Sequence, residues 1–399
     1  MRSIARRQFI KSAAVGAVGI SLIEPKHVVG DAANSRVKLG LIGCGERGRW
    51  IAGLFGRHKG YELRAVADYF REVSDRVGRE LDVAEERRFW GLDGYKGVIA
   101  GGVDAVVLET PPYFFPEHAR AAVDAGLHVF MAKPVAVDVP GTLEIGALGR
   151  KSTENNRCFL VDFQIPTDPL NIETVKRVHD GAIGRIVQIN TCYWSGGFAD
   201  PPLTESWASR LRRLIWVNDV AIGGGYHVNA CIHAVDAGLW VAGGRPTSAA
   251  GASAVGRPNP HGDSRDLYSL TFEFADGTLM NHTGSHLNYP FHVRCVAVGQ
   301  NGSAEIGYTG NAFVRGGSAP YDGGEISGLY QVGALRNIIA FHKDISAGEF
   351  SNPTVEPSVN STLATILGRE ASQRRQRLSM EDLIRENRRI EGDLTGLEA

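Results

Sequence analysis

Residues 37–48 read Val37-Lys38-Leu39-Gly40-Leu41-Ile42-Gly43-Cys44-Gly45-Glu46-Arg47-Gly48. Val37 to Ile42 is a short apolar run of the kind that forms a strand buried on both faces of a parallel sheet. It runs directly into three glycines spaced G-x-G-x-x-G, and a helical pattern follows from Arg49 to Arg57. In such a strand–turn–helix unit each glycine has its own task. Gly43 makes the tight turn, Gly45 lets a pyrophosphate approach the backbone, and Gly48 lets the helix pack closely on the strand. The helix N-terminus then offers N–H groups and the positive end of its dipole to the phosphates. Cys44 and Arg47, inside the turn, fall at the same place.

A second strand, Glu62 to Ala67, ends in Asp68, 20 residues past Gly48. An acid at this spacing accepts hydrogen bonds from ribose hydroxyls. A carboxylate there repels a 2′-phosphate, which favours NAD(H); Arg71 close by keeps NADP(H) open. The alternation continues with a strand from Val103 to Leu108 leading to Thr110-Pro111-Pro112, and a helix from Pro116 to Ala125. A strand from His128 to Met131 then leads to Ala132-Lys133-Pro134, followed by a helix from Pro140 to about Asn155 and a strand from Cys158 to Val161. Alternating βα units predict a doubly wound parallel sheet. Ligands sit at the carboxyl ends of its strands, where Gly45, Asp68, Thr110 and Lys133 all fall.

At 399 residues the chain is long enough for two domains. It is 43% hydrophobic and 22% charged with a formal net charge of −1, which gives no general attraction to nucleic acid or anionic membranes. A small molecule is therefore the expected partner. The five cysteines are scattered without a CxxC pair, which argues against a disulfide framework and against a structural zinc site.

The N-terminal 35 residues differ from the rest. Arg6-Arg7-Gln8-Phe9-Ile10-Lys11 precedes an apolar stretch from Ser12 to Ile23 that is too short to span a bilayer. The paired arginines followed by Phe and Lys resemble a twin-arginine export signal. Residues 1–35 are thus expected to be signal and linker, 36–160 the dinucleotide-binding domain, and 161–399 a second domain whose C-terminal helices can pack back on the first. Export to the periplasm or cell envelope is expected, with no stable membrane insertion.

Taken together, Gly43-x-Gly45-x-x-Gly48, Asp68, Thr110-Pro111-Pro112 with His118, Ala125-Gly126-x-His128-Val129, Lys133-Pro134, and Gly223-Gly224-Gly225 before Asn229, His233 and Asp236 resemble the Gfo/Idh/MocA family of glucose–fructose oxidoreductases and inositol dehydrogenases. The resemblance covers residues 36 to 399. It implies a Rossmann domain followed by an α+β domain with a large open, mainly antiparallel sheet that commonly mediates homo-oligomerisation. It also implies a sugar or glycoside substrate, a nicotinamide cofactor, and Pro111, His118 and Gln164 beside that cofactor. Strand-like segments at Ile186–Tyr193, Tyr268–Phe274, Gly277–His282, Val293–Val298 and Gly302–Ile306 fit such a sheet, and Asp276-Gly277 is a hairpin signal. Two departures stand out: Ala132 where the family usually has Glu before the lysine, and Asn229 where many members have Asp.

Oxidising a hydroxyl needs hydride transfer to the cofactor and removal of the hydroxyl proton. Lys133, between a buried strand and a proline, is the expected cation on the substrate oxygen, and His233 the expected acid/base. On one continuous helix, Asn229, His233 and Asp236 would fall at i, i+4 and i+7 and share a face. His227 and Trp194 are expected to touch substrate, and no metal is expected. Free NAD is not replenished outside the cytoplasm, so an exported enzyme must hold its cofactor tightly and restore it within the cycle or with a second substrate. Three functions follow: a sugar or glycoside dehydrogenase, a redox-neutral glycoside hydrolase acting through transient C3 oxidation, and a degenerate carbohydrate-binding member.

Overall fold

The computed structural model describes residues 36–203, 206–287, 289–392 and 394–397. The twin-arginine segment lies outside these residues. The first sheet contains β1 (Val37–Ile42), β2 (Tyr61–Asp68), β3 (Arg88–Trp90), β4 (Ala105–Leu108), β5 (His128–Met131) and β6 (Phe159–Val161). Their order is β3-β2-β1-β4-β5-β6 and every pairing is parallel. Strand order reverses between β1 and β4, and a crevice opens there at the carboxyl ends.

Both faces of this sheet are covered, which is why its strands read as apolar runs without alternation. Leu39, Leu41, Ala105 and Val107 face one side, where Ile51 and Phe55 of the helix Glu46–Gly56 meet Ile338 and Phe341 of the helix Leu329–Ala347. Ile42, Val106 and Leu108 face the other, against Ala119, Ala122 and Ile145 from the helices Phe115–Asp124 and Val139–Glu154. A helix from the far end of the chain therefore completes the first domain's core.

The second sheet has nine strands: β7 (Ile186–Ser195), β8 (Ser248–Ala254), β9 (Leu267–Glu273), β10 (Leu279–His286), β11 (His292–Gly299), β12 (Gly302–Gly307), β13 (Gly310–Gly316), β14 (Tyr321–Ile326) and β15 (Leu378–Ser379). The order is β14-β13-β12-β11-β7-β10-β9-β8-β15. All neighbours are antiparallel except β7 and β10. The Asp276-Gly277 turn joins β9 to β10, with Gly277 at φ +83°. β3, β8, β13, β14 and β15 were not expected; β8 reads Ser-Ala-Ala-Gly-Ala-Ser-Ala, without large residues to reveal alternation.

One face of this sheet buries Ile189, Thr191 and Tyr193 of β7 and Met280, His282 and His286 of β10. The helix Ile232–Ala242, buried from Ile232 through Val241, packs there after a π-helical turn at His227–Cys231. Among the described residues no helix is long and apolar enough to cross a membrane.

Candidate active site

The glycine turn forms the floor of the crevice. Gly43 has φ +98°, and a Cβ there would lie 2.6 Å from the backbone of Glu109 and Thr110, so the turn presses against the end of β4. A Cβ on Gly48 would stand 1.8 Å from the Gly43 carbonyl oxygen, which is the close helix–strand packing the motif requires. Gly45 differs: nothing lies within 4 Å of its Cβ position, and it borders the crevice. Open backbone at a helix start, on the crevice side, fits a phosphate group.

Asp68 stands at the end of β2 with Oδ2 accepting from the Cys44 N–H at 2.8 Å and Oδ1 from the Phe70 N–H at 3.0 Å. The carboxylate thus fixes the glycine turn while bordering the crevice. Burial pushes its pKa up, partly offset by those two N–H donors. Cys44 contributes only its backbone; its thiol is buried against the Ala67 carbonyl and does not border the crevice.

Behind the turn lies a buried charged cluster. Arg47 donates to Asp162 at 2.5 Å and to the Tyr330 hydroxyl at 2.7 Å, and sits 3.3 Å from Glu109. These three partners hold its guanidinium at the crevice wall. Gln164 donates to Asp162 at 2.7 Å and accepts from Tyr308. Burial lifts the Glu109 pKa to about 7, opposed by Arg47. Thr110 meets His118 Nδ1 at 3.3 Å, and burial alone lowers the His118 pKa to about 3.

Lys133 follows β5, and its Nζ donates to the Asn229 carbonyl at 2.8 Å. Burial and then Arg47 pull its pKa down to about 7, with Glu109 and Asp162 holding it from falling further. His233 borders the same crevice, stacked near Tyr193 with its Nδ1 buried and without a partner among the described residues. Burial, then Lys133 and Arg47, keep this imidazole neutral well below its usual pKa. A cation able to lose its proton near neutrality and a neutral imidazole therefore share one cleft, an arrangement suited to proton transfer. Phe198, Leu211, Arg213 and Trp216 of the second domain cover the opening.

The structure brings Gly43, Gly45, Arg47, Gly48, Asp68, Thr110, Pro111, His118, Lys133, Gln164, Asn229 and His233 to this crevice. It places four expected side chains elsewhere, the Cys44 thiol described above among them. Asp236 is fully buried and accepts from Ser361 Oγ at 2.7 Å on the helix Val355–Arg374. Asp236 is three residues past His233 on the regular helix Ile232–Ala242, about 60° short of a full turn, which directs it to the helix Val355–Arg374 while His233 stays on the crevice. His227 is fully buried against Tyr268, beneath the π-turn and away from the crevice. Trp194 stacks on His292 and meets Tyr289, because successive strand residues point to opposite faces and its neighbour Tyr193 takes the crevice side. Tyr193, Glu109 and Asp162 were missed in sequence; Glu109 and Asp162 each directly follow a buried strand, and that position was the available signal.

Two family profiles match the chain. Residues 37–161 match the oxidoreductase family with an NAD-binding Rossmann fold, and residues 172–305 match the GFO/IDH/MocA C-terminal domain. The chain belongs to the Gfo/Idh/MocA family of oxidoreductases. This Gfo/Idh/MocA chain is 25% identical over 277 residues to inositol 2-dehydrogenase 4 of Saccharopolyspora erythraea, covering 69% of the chain and 75% of that relative. It is also 25% identical over 220 residues to a glycosyl hydrolase family 109 protein of a Shewanella species, covering 48% and 46%. The fold is similar to that of aldose-aldose oxidoreductase from Caulobacter crescentus, with a TM-score of 0.69 at 20% identity over 86% of this chain and 99% of the other.

Proposed function

We propose that this Gfo/Idh/MocA member oxidises a hydroxyl of a sugar, glycoside or related polyol. The convergence of Lys133, His233 and the glycine turn on one crevice carries the proposal. NAD(H), bound along Gly43–Gly48 with its ribose at Asp68, supplies the hydride acceptor when present. Lys133 in its charged form holds the substrate oxygen, and the neutral imidazole of His233 takes the hydroxyl proton. Phe198 and Trp216 line the crevice and supply apolar surface that limits water there. The Asp68 carboxylate disfavours the 2′-phosphate of NADP(H). The inositol dehydrogenase relative supports a polyol or sugar as the substrate class.

The proposal extends to location and assembly. Arg6-Arg7 and the following apolar stretch support twin-arginine export of the folded protein with NAD already tightly bound. The family resemblance supports a homo-oligomer through the open sheet.

A second reading, redox-neutral glycoside hydrolysis with the hydride returned in each cycle, is favoured by the family 109 relative. One experiment separates the two. The protein is recovered from its native export route, denatured to release and quantify NAD, and offered free sugars and aryl glycosides. Keto-sugar with reduction of an acceptor supports the dehydrogenase. Aglycone release without net NADH supports the hydrolase. Protein that binds no nicotinamide and gives neither product refutes both.

A further inference from the structure

Beneath the crevice, on the far side of the π-turn, three side chains converge that the proposed reaction does not use. His227, Cys231 and His282 each present a ligand-type atom, and these atoms lie within 4.8 Å of one another. All three residues are buried, at 0%, 0% and 1% exposure. Both ring nitrogens of His227 and the Nε2 of His282 have no hydrogen-bond partner among the described residues. A neutral imidazole always carries one N–H, and a buried polar atom without a partner is costly, so this cluster calls for an occupant.

The surroundings point to a metal. Thr191 Oγ1 engages His282 Nδ1 at 3.0 Å, which orients the ring and leaves Nε2 facing the cluster, as the outer partner of a ligating histidine does. Glycines border the ligand atoms. A Cβ at Gly284 would lie 2.7 Å from Cys231 Sγ and 3.4 Å from His282 Nε2, and one at Gly368 would lie 2.8 Å from His227 Nε2. His227 and Cys231 stand four apart across the π-turn, and His282 reaches them from β10.

We propose that His227, Cys231 and His282 form a structural site for one thiophilic metal ion, zinc(II) or copper(I). Imidazole and thiolate are donor types that both ions take. On binding, the Cys231 thiol releases its proton to solvent as the sulfur–metal bond forms. The ion staples the π-turn to β10, and the same turn presents the Asn229 carbonyl to Lys133.

The test uses the full-length protein purified without chelator. Its metal content is measured by mass spectrometry as isolated, after loading with zinc(II), and separately after anaerobic loading with copper(I). About one equivalent retained through desalting is expected, and the loading arms identify the ion. X-ray absorption at the edge of the retained metal should show one sulfur and two imidazole neighbours. Cys231→Ala and His282→Gln should each lose the ion while keeping bound NAD. Wild-type protein that retains neither ion, or an ion without a sulfur neighbour, overturns the proposal; both results are independent of whether the variants fold.

Discussion

Lys133 Nζ donates to the backbone carbonyl of Asn229 at 2.8 Å, so the end of β5 is tied to a π-turn of the second domain. π-turns inside helices recur at functional sites because they interrupt the regular i→i−4 ladder. Here the turn supplies an acceptor to a buried lysine next to Arg47, Glu109 and Asp162. The ammonium is thereby aimed without neutralising it, and remains available to a substrate oxygen.

Lys133→Met should lower kcat roughly 10²–10⁴-fold while leaving bound NAD in place. The same group should set the alkaline side of the pH profile. Its pKa is drawn down to about 7 by burial and by Arg47. If the ammonium is the working form, kcat/KM for oxidation declines as pH rises through about 7. A pH series on wild type and variant checks both, and a Lys133→Met variant with unchanged kcat would remove the lysine from the reaction.

Glu109 supplies a carboxylate near the lysine where the adjacent residue is Ala132. Replacing it with Gln removes an anion that favours the charged lysine. The lysine pKa must then fall, and the alkaline limb of the Glu109→Gln profile should move to lower pH. A limb that stays in place, or moves up, contradicts the coupling.

The first domain was legible because its signals are local. An apolar run, three glycines and an acid 20 residues on specify β1, the turn and Asp68 within one βαβ unit. What was not legible depends on contacts between distant segments. Glu109 meets Arg47 across the sheet end, and Asp162 joins them from β6. His227 was assigned to substrate as the residue after a glycine run, yet the π-turn and β10 enclose it with His282, 55 positions away in sequence. The reading of Asp236 failed for a geometric reason. His233, four residues past Asn229, stays on the crevice, whereas the three-residue step to Asp236 on a regular helix falls about 60° short of a full turn and delivers that carboxylate to the neighbouring helix.

Asp236 should consequently matter for stability and little for chemistry. Its bond to Ser361 joins two buried helices. Asp236→Ala leaves the Ser361 hydroxyl without this acceptor and should cost about 1–3 kcal/mol by denaturant unfolding. With NAD saturating, kcat per folded molecule should remain within about twofold of wild type. A large kcat loss at unchanged stability would return Asp236 to the reaction.

Asp68 carries two duties that one substitution can separate. Asp68→Ala removes the acceptor for the Cys44 and Phe70 N–H groups, so the melting temperature should fall. It also removes the charge proposed to repel a 2′-phosphate. Affinity for NAD(H) should drop roughly 10–100-fold relative to NADP(H). Lower stability with an unchanged NAD-to-NADP ratio would make Asp68 a brace for the turn and not a ribose ligand.

The three glycines make the sharpest contrast, since two of them have different neighbours within one motif. A methyl on Gly48 collides with the Gly43 carbonyl oxygen at 1.8 Å, so Gly48→Ala must push the helix Glu46–Gly56 off β1. Loss of stability is expected, of about 1–3 kcal/mol or more, together with loss of NAD. A methyl on Gly45 meets no protein atom within 4 Å and enters the crevice. Gly45→Ala should therefore fold with wild-type stability in the absence of cofactor and yet bind NAD at least about tenfold more weakly. Calorimetric unfolding of both apo variants, with NAD titrations alongside, distinguishes a packing glycine from one that makes room for a ligand. If Gly45→Ala binds NAD as tightly as wild type, the pyrophosphate does not pass over this turn.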